Sequence, residues 1–143
     1  MPSEVFQDAL NRNAVERRKV IVAAALGTMF EWYDFVLYGS LLVIIAGTFF
    51  GDFPEQSRNL LAMLAFAAGF VVKPLGALLF GRISDQVGRK YPFLLTIMIM
   101  GVSTFLVGLL PGSQTLGMTA AVLLIILRCL QGLALGGESG GAA

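Results

Sequence analysis

Four long apolar segments, separated by short polar stretches, make up most of this chain. They cover residues 20–46, 60–80, 91–110 and 116–138. Each reaches the roughly 20 residues that an α-helix needs to cross a bilayer. A helix of a soluble bundle would carry a polar face at a period of about 3.6 residues, whereas these segments are apolar all round. The pattern predicts an all-α, polytopic membrane protein with about four transmembrane helices.

The polar stretches predict how these helices are oriented. Residues 1–19 form a polar segment ahead of a transmembrane region that covers residues 20–143. This segment carries four Lys/Arg residues, and the three loops that follow carry one, three and none. Because Lys and Arg collect on the cytoplasmic side, the N-terminus and the 81–90 loop are predicted to be cytoplasmic. The expected location is the cell inner membrane, with several passes.

Composition agrees with a lipid environment and excludes several functions. Hydrophobic residues make up 57% of the chain and charged residues only 13%, where a soluble domain has about 25%. A net charge of +1 gives no sign of a nucleic-acid partner. With no histidine and one cysteine, His-based catalysis, an internal disulfide and the common zinc sites are not expected. No nucleophile motif or cofactor loop is present either, so we expect neither an enzyme nor a cofactor or metal.

Ionisable residues inside the predicted spans are the main candidates for function. Each charge at the bilayer centre costs about 2.5–3.5 kcal/mol on translocon scales. Such residues are therefore expected to face the bundle interior and to have partners there. The set is Glu31, Asp34, Lys73, Arg128 and Glu138.

Helical spacing places these residues on polar stripes. On the first span, Glu31, Asp34 and Tyr38 share a face. On the fourth, Arg128 shares a face with Gln131. We expect the two acids to meet Lys73 and Arg128 near mid-membrane. Salt bridges that only fix packing are a weaker explanation for the whole set, because buried ion pairs contribute little net stability.

Glycines give a second signal on the fourth span. Gly132, Gly136 and Gly140 recur at a spacing of four residues. Small residues at this spacing allow two membrane helices to approach closely. The pattern predicts a helix-packing face there.

The loop "GRISDQVGRK" (residues 81–90) is dense in charge and contains two glycines. Asp85 is placed to interact with a helix N-terminus, and Arg89 with a carboxylate on a neighbouring helix. Such contacts would hold the cytoplasmic side in one conformation.

Three motifs resemble a known family. Gly81, Asp85, Gly88, Arg89 and Lys90 resemble the loop signature between the second and third helices of the major facilitator superfamily. "RCLQGLALGGE" (128–138) resembles the fourth-helix signature of its proton-coupled members. "EWYDF" (31–35) and "GGE" (136–138) resemble its metabolite:proton symporter branch, which includes carriers of α-ketoglutarate, shikimate, citrate, and proline or betaine. The resemblance covers nearly the whole chain after residue 18.

The resemblance implies twelve helices in two halves, of which this chain would be the first four, a partial N-terminal half. The implied partners are a small-molecule substrate, H⁺, the lipid bilayer and the remaining helices. Glu138 is placed to meet Arg89 in a cytoplasmic gate. The predicted site residues are Lys73, Arg128, Tyr38 and Gln131 for substrate binding, Glu31 and Asp34 for proton coupling, and Gly81, Asp85, Gly88, Arg89, Lys90 and Glu138 for the gate.

The leading hypothesis is a secondary active transporter that couples H⁺ to symport of a small polar, carboxylate-bearing metabolite by alternating access. The alternative is a four-helix multidrug/proton antiporter that acts as a dimer, with Glu31 as the shared site. The charge bias of the loops and the 81–90 motif oppose it. A channel or a non-transporting scaffold is a third reading, although a scaffold would not need charges at mid-membrane. The sequence leaves open the substrate and the choice between H⁺ and Na⁺.

Overall fold

The computed structural model describes the backbone of residues 2–142 and the side chains of Glu4 and of residues 7–140. Within this range there is no strand. The helices are α1 (Pro2–Phe49), α2 (Glu55–Val87), α3 (Lys90–Leu109), the single turn α4 (Ser113–Leu116) and α5 (Met118–Ala142). Of these described helices, α1, α2, α3 and α5 are long and apolar enough to cross a membrane. The predicted all-α architecture with about four membrane-spanning helices is confirmed.

Two of the helices, α1 and α2, extend at both ends beyond the apolar segments that predicted them. α2 covers Glu55–Val87, whereas the apolar pattern gave 60–80. The residues of these added turns are mostly polar. They are still helical because the backbone hydrogen bonds of α2 continue until Gly88 ends the helix. α1 likewise continues through residues 19 and 20. The predicted boundary between the polar segment 1–19 and the transmembrane region 20–143 concerns membrane location, and it stays a prediction. Met1 and Ala143, the outermost residues of these two ranges, lie outside the described residues.

The chain divides into two compact units, Met1–Phe35 and Val36–Ala143. The described residues of the first unit, 2–35, are a single stretch of α1. Its described side chains from Gln7 to Val22 are all exposed. In its later turns Thr28 Oγ1 donates a hydrogen bond to the carbonyl oxygen of Ala24 at 3.1 Å, within the helix.

The apolar core of the second unit lies where α1 ends and where α2 and α5 begin. Phe50 is only 2% exposed there. Alanines surround it, and their small side chains leave room for the aromatic rings between the helices. The buried cluster consists of Ala46, Phe49, Phe50, Ala62, Ala65, Ala120, Ala121 and Leu124.

The connection into α5 depends on one glycine. Gly117 separates α4 from α5 and has φ +58°. An L-residue with a side chain rarely adopts this backbone region. Just before α4, a Cβ at Gly112 would lie 3.0 Å from the carbonyl oxygen of Thr48, so the turn packs closely on the end of α1.

α2 and α5 lie parallel, with their backbones in contact. A Cβ on Gly69 would lie 3.1 Å from the carbonyl oxygen of Arg128, and one on Gly140 would lie 2.8 Å from that of Ala77. Residue numbers thus rise together along both helices, which makes the pair parallel. A Cβ on Gly132 would lie 2.9 Å from the Cα of Gly69, a distance that real side chains do not show. The packing face predicted from the glycine spacing is confirmed.

α3 packs against α5 in the opposite direction. Thr96, near the start of α3, lies beside Gly137, whose Cβ would be 2.6 Å from the threonine methyl carbon. Thr104, two turns later, is bonded to Gln131, which precedes Gly137 on α5. The inward face of α3 is marked by the buried side chains of Thr96 and Ser103.

Alanine at position 136 is expected to destabilise the α2–α5 pair. The added methyl would fall on the carbonyl oxygen of Lys73 and 2.8 Å from the backbone nitrogen of Ala77. Backbone atoms cannot rotate away, so the helices must separate, at the cost of about 1–3 kcal/mol that overpacking usually carries. Thermal denaturation of the purified protein in detergent measures the loss.

The matched control for Gly136→Ala is Gly101→Ala. Gly101 is an α3 residue with no atom within 4 Å of its Cβ position. Alanine there is expected to keep stability unchanged or to raise it by up to about 1 kcal/mol, because it lowers the entropy of the unfolded chain. Equal losses in the two variants would contradict the close α2–α5 packing.

Candidate functional site

Arg128 is the centre of the candidate site, on α5. Its side chain is only 7% exposed. The guanidinium carbon lies 3.9 Å from the ring centroid of Tyr38 and 5.8 Å from that of Phe66. Its Nη1 donates a hydrogen bond to Gln131 Oε1 at 2.8 Å. A charge this deeply buried is tolerated when aromatic faces and hydrogen-bond acceptors replace water. We call Tyr38, Phe66 and Gln131 the Arg128 cradle.

The aromatic side of the cradle is held from two directions. Tyr38 is 2% exposed, and its hydroxyl donates to the carbonyl oxygen of Ala62 at 2.9 Å. Its ring stacks on Phe66, with centroids 4.8 Å apart and an interplanar angle of 16°. Phe66 meets Phe70 edge to face at 5.1 Å. The hydroxyl bond and the stack fix the tilt of the Tyr38 ring, so its face stays towards Arg128.

Gln131 connects the cradle to α3. It is 3% exposed and lies one turn after Arg128. Its Nε2 donates a hydrogen bond to Thr104 Oγ1 at 2.9 Å. Two hydrogen bonds therefore run from Arg128 through Gln131 to Thr104.

The glycine contacts between α2 and α5 place these groups at the same depth. Gly69 faces the backbone of Arg128, and Gly132 faces Gly69 in turn. Phe66 comes one turn before Gly69 on α2, so the close backbone approach brings its ring to the level of the guanidinium. A larger residue at position 69 or 132 would move the aromatic wall away from Arg128.

The predicted proton-coupling acids lie on the less exposed face of the first unit. Glu31 and Asp34 are half-buried. Between them, Trp32 and Tyr33 are 64% and 65% exposed. Trp32 contacts Phe35 edge to face at 6.0 Å. The burial follows the stripe that the sequence predicted, whereas the pairing of these acids with the bases stays a prediction.

Lys73 lies at a different level along the bundle. Its side chain is half-buried, and its backbone carbonyl lies against Gly136. Lys73 follows Gly69, which faces the Arg128 backbone, by one turn, about 6 Å along the axis. Any convergence of Lys73 with Arg128 therefore depends on the length of the lysine side chain, and it stays a prediction.

The predicted cytoplasmic gate lies at the α2–α3 connection. Gly88 has φ 94° and ψ 163°, and its N–H donates to the carbonyl oxygen of Ser84 at 3.0 Å. This backbone region is essentially restricted to glycine, which gives the second glycine of the motif a structural reason. Gly81 lies within α2 and has open space at its Cβ position.

The charged gate residues have different exposures. Asp85, Arg89 and Lys90 are exposed, and Glu138 on α5 is half-buried. Their role in a gate stays a prediction.

The sequence interpretation missed two members of this arrangement, Phe66 and Thr104. A signal for Phe66 was present, because it extends the α2 stripe of Gly69 and Lys73 by one turn. For Thr104 the only signal was a hydroxyl inside an apolar span. Two other hydroxyl residues, Thr96 and Ser103, share that feature in α3.

Among the described residues, no group of three or more His, Cys, Asp or Glu side chains is placed to hold a metal ion. Cys129 is half-buried and has a free thiol. Arg128 gives the site a buried cation that has aromatic and amide groups among its neighbours.

Comparison with known proteins decides the family. The family model described as "Sugar (and other) transporter" matches residues 19–143. The chain belongs to this family, within the major facilitator superfamily. No solved structure matches it.

Bacterial transporters are among its relatives. The shikimate transporter of Escherichia coli K12 is 41% identical over 127 residues, which are 88% of this chain and 29% of that protein. The inner membrane metabolite transport protein YhjE of the same strain is 43% identical over 128 residues, 89% of this chain and 29% of that protein. The proline/betaine transporter of the same strain is 40% identical over 126 residues, which are 88% of this chain and 25% of that protein. The chain thus spans between a quarter and three-tenths of the length of these relatives.

Family membership confirms the predicted superfamily and a multi-pass membrane protein of a transport family. The relatives are named as transporters rather than enzymes.

Replacing Tyr38 is expected to loosen the cradle in two steps. Tyr38→Phe keeps the aromatic face and removes the hydroxyl bond to Ala62, with an expected loss of about 1 kcal/mol in unfolding free energy. Tyr38→Leu also removes the cation–π contact, with a further loss of about 1–2 kcal/mol. Thermal denaturation in detergent measures both. Tyr33→Phe and Tyr33→Leu are the controls, since Tyr33 is 65% exposed, and equal losses at the two positions would contradict the cradle.

Proposed function

We propose that this chain forms part of a proton-coupled symporter that carries a small, polar, carboxylate-bearing metabolite by alternating access. The observation that carries the proposal is the buried Arg128, stacked on Tyr38 and hydrogen-bonded to Gln131. Keeping a guanidinium in an apolar span is costly. A site that binds an anion gives a reason for maintaining it.

The chemistry of arginine favours a carboxylate as the recognised group. Its planar guanidinium offers paired N–H donors that match the two carboxylate oxygens. The relatives are named for shikimate, proline, betaine, ectoine and pipecolic acid. These compounds differ in size and net charge but share a carboxylate group. We therefore assign the shared group to Arg128 and leave the remaining substrate contacts to other residues, with Lys73 as a second candidate base.

Proton coupling is assigned to Asp34 and Glu31. Asp34 lies four residues before Tyr38, on the same face of the helix. We propose that the two acids, in their ionised forms, compete with a substrate carboxylate for Lys73 and Arg128. Protonation ends that competition and raises the affinity for the substrate. The difference in substrate affinity between the two protonation states supplies the coupling free energy.

The proposed location is the cell inner membrane with the N-terminus in the cytoplasm. The basic residues of the N-terminal segment and of the 81–90 loop support this orientation. The relative named as an inner membrane protein supports the choice of membrane. The proposed complete transporter includes further helices, since the relatives are three to four times longer than the matched region.

Asparagine at position 34 is expected to abolish accumulation driven by a pH gradient, because it is close to the size of aspartate and cannot titrate. The measurement uses the protein expressed from its complete gene and reconstituted in liposomes, with radiolabelled shikimate and proline as probes. Exchange of substrate across the membrane without a gradient is expected to persist. Asp8→Asn is the control, because Asp8 is an exposed acid of the N-terminal segment. Undiminished gradient-driven accumulation by Asp34→Asn would remove Asp34 from the coupling role.

Lysine at position 128 is expected to weaken substrate binding while the positive charge is kept. Lysine has no planar fork, so the paired contact with the carboxylate and the stacking on Tyr38 are both lost. We expect the KM of the transported probe to rise by about tenfold or more, the effect of losing a hydrogen bond to a charged group. Arg58→Lys is the matched control, at a half-buried arginine near the start of α2. A KM unchanged by Arg128→Lys would contradict the assigned role.

A further inference from the structure

The side-chain amide of Gln131 is fixed from both ends. Gln131 is 3% exposed, so its amide oxygen and nitrogen both need partners inside the protein. The oxygen accepts from Arg128 Nη1 at 2.8 Å, and the nitrogen donates to Thr104 Oγ1 at 2.9 Å. An arginine side chain carries donors only. The amide oxygen must therefore face Arg128, and the amide nitrogen must face α3.

Thr104 supplies the acceptor that this orientation requires. A threonine in a helix can donate its own proton to a backbone carbonyl one turn earlier while its oxygen accepts another bond. Thr104 can therefore serve Gln131 without leaving its own proton unsatisfied. Thr96, by contrast, donates to the carbonyl oxygen of Phe93 at 2.7 Å, within α3.

We infer that Thr104 is a positioning residue for Arg128 and acts through Gln131. The inference rests on the proposed role of Arg128 in binding the substrate. Without the Thr104 hydroxyl, Gln131 Nε2 would be a buried donor beside a methyl group. Gln131 would turn to satisfy this nitrogen, and Arg128 Nη1 would lose its hydrogen bond to Gln131 Oε1.

The expected consequence concerns orientation rather than charge. The ring of Tyr38 lies 3.9 Å from the guanidinium carbon, and the hydrogen bond to Gln131 helps to orient Nη1. Loss of the second contact would present a substrate carboxylate with a less well oriented pair of donors, which weakens binding. The same two hydrogen bonds would transmit a shift of α3 relative to α5 to Arg128.

The test compares Thr104→Val, Thr104→Ser and Thr96→Val in the protein expressed from its complete gene and reconstituted in liposomes. Valine keeps the shape of threonine without the hydroxyl, and serine keeps the hydroxyl. Thr96→Val makes the same change on the same helix, at a residue that also packs on α5. One readout is the rate at which phenylglyoxal modifies Arg128, followed by mass spectrometry, which needs no substrate. The other is KM and Vmax for uptake of radiolabelled shikimate and proline.

Thr104→Val is expected to speed modification of Arg128 and to raise the KM of the transported probe, each by about three- to tenfold, the effect of one lost part-buried hydrogen bond. Vmax and thermal stability are expected to match those of Thr96→Val. Thr104→Ser is expected to match the wild type in both readouts.

Three outcomes would overturn the inference: unchanged Arg128 reactivity in Thr104→Val, an equal change in Thr96→Val, or a failure of Thr104→Ser to restore the wild-type rate. If Arg128 reactivity changes as expected but neither probe is transported by the wild type, the positioning of Arg128 is upheld and the proposed function fails.

Discussion

The burial of one guanidinium inside a membrane-spanning helix is the constraint on which the second unit depends. Arg128 is 7% exposed, and a charge in that position is stable only with partners that replace water. Tyr38 provides an aromatic face, and Gln131 provides an acceptor oxygen. Tyr38 is held by a hydrogen bond to α2, and Gln131 by one to α3. A single polar group thus links four helices of the bundle.

The glycine contacts between α2 and α5 make this arrangement possible. Membrane helices gain little from hydrophobic association, because lipid tails are as apolar as the side chains, and so close packing and hydrogen bonds decide which faces meet. Gly69 and Gly132 allow the two backbones to touch beside Arg128. This contact places Phe66 behind Tyr38, so that the aromatic wall is backed by a second ring. The small residues and the polar cradle are therefore two parts of one packing solution.

The proposed role of Arg128 needs a polar centre that is stable without substrate and still able to bind one. Aromatic stacking suits this need, because it satisfies a face of the guanidinium and does not use its N–H donors. An amide neighbour is neutral, so it orients the group without cancelling its charge.

The sequence by itself determined the four spans, the glycine packing face and the superfamily, because each is encoded in local runs or spacings of residues. It also placed Arg128 and Gln131 on one helical face. Only the tertiary structure decided that Tyr38 stacks on Arg128, that Phe66 supports it, and that Thr104 completes the chain of hydrogen bonds. It also placed the backbone of Lys73 about one turn beyond the level of Arg128. The physical reason is that periodicity defines which residues share a face of one helix, whereas the axial offset between neighbouring helices, set here by backbone contact at glycines, decides which faces meet at the same depth.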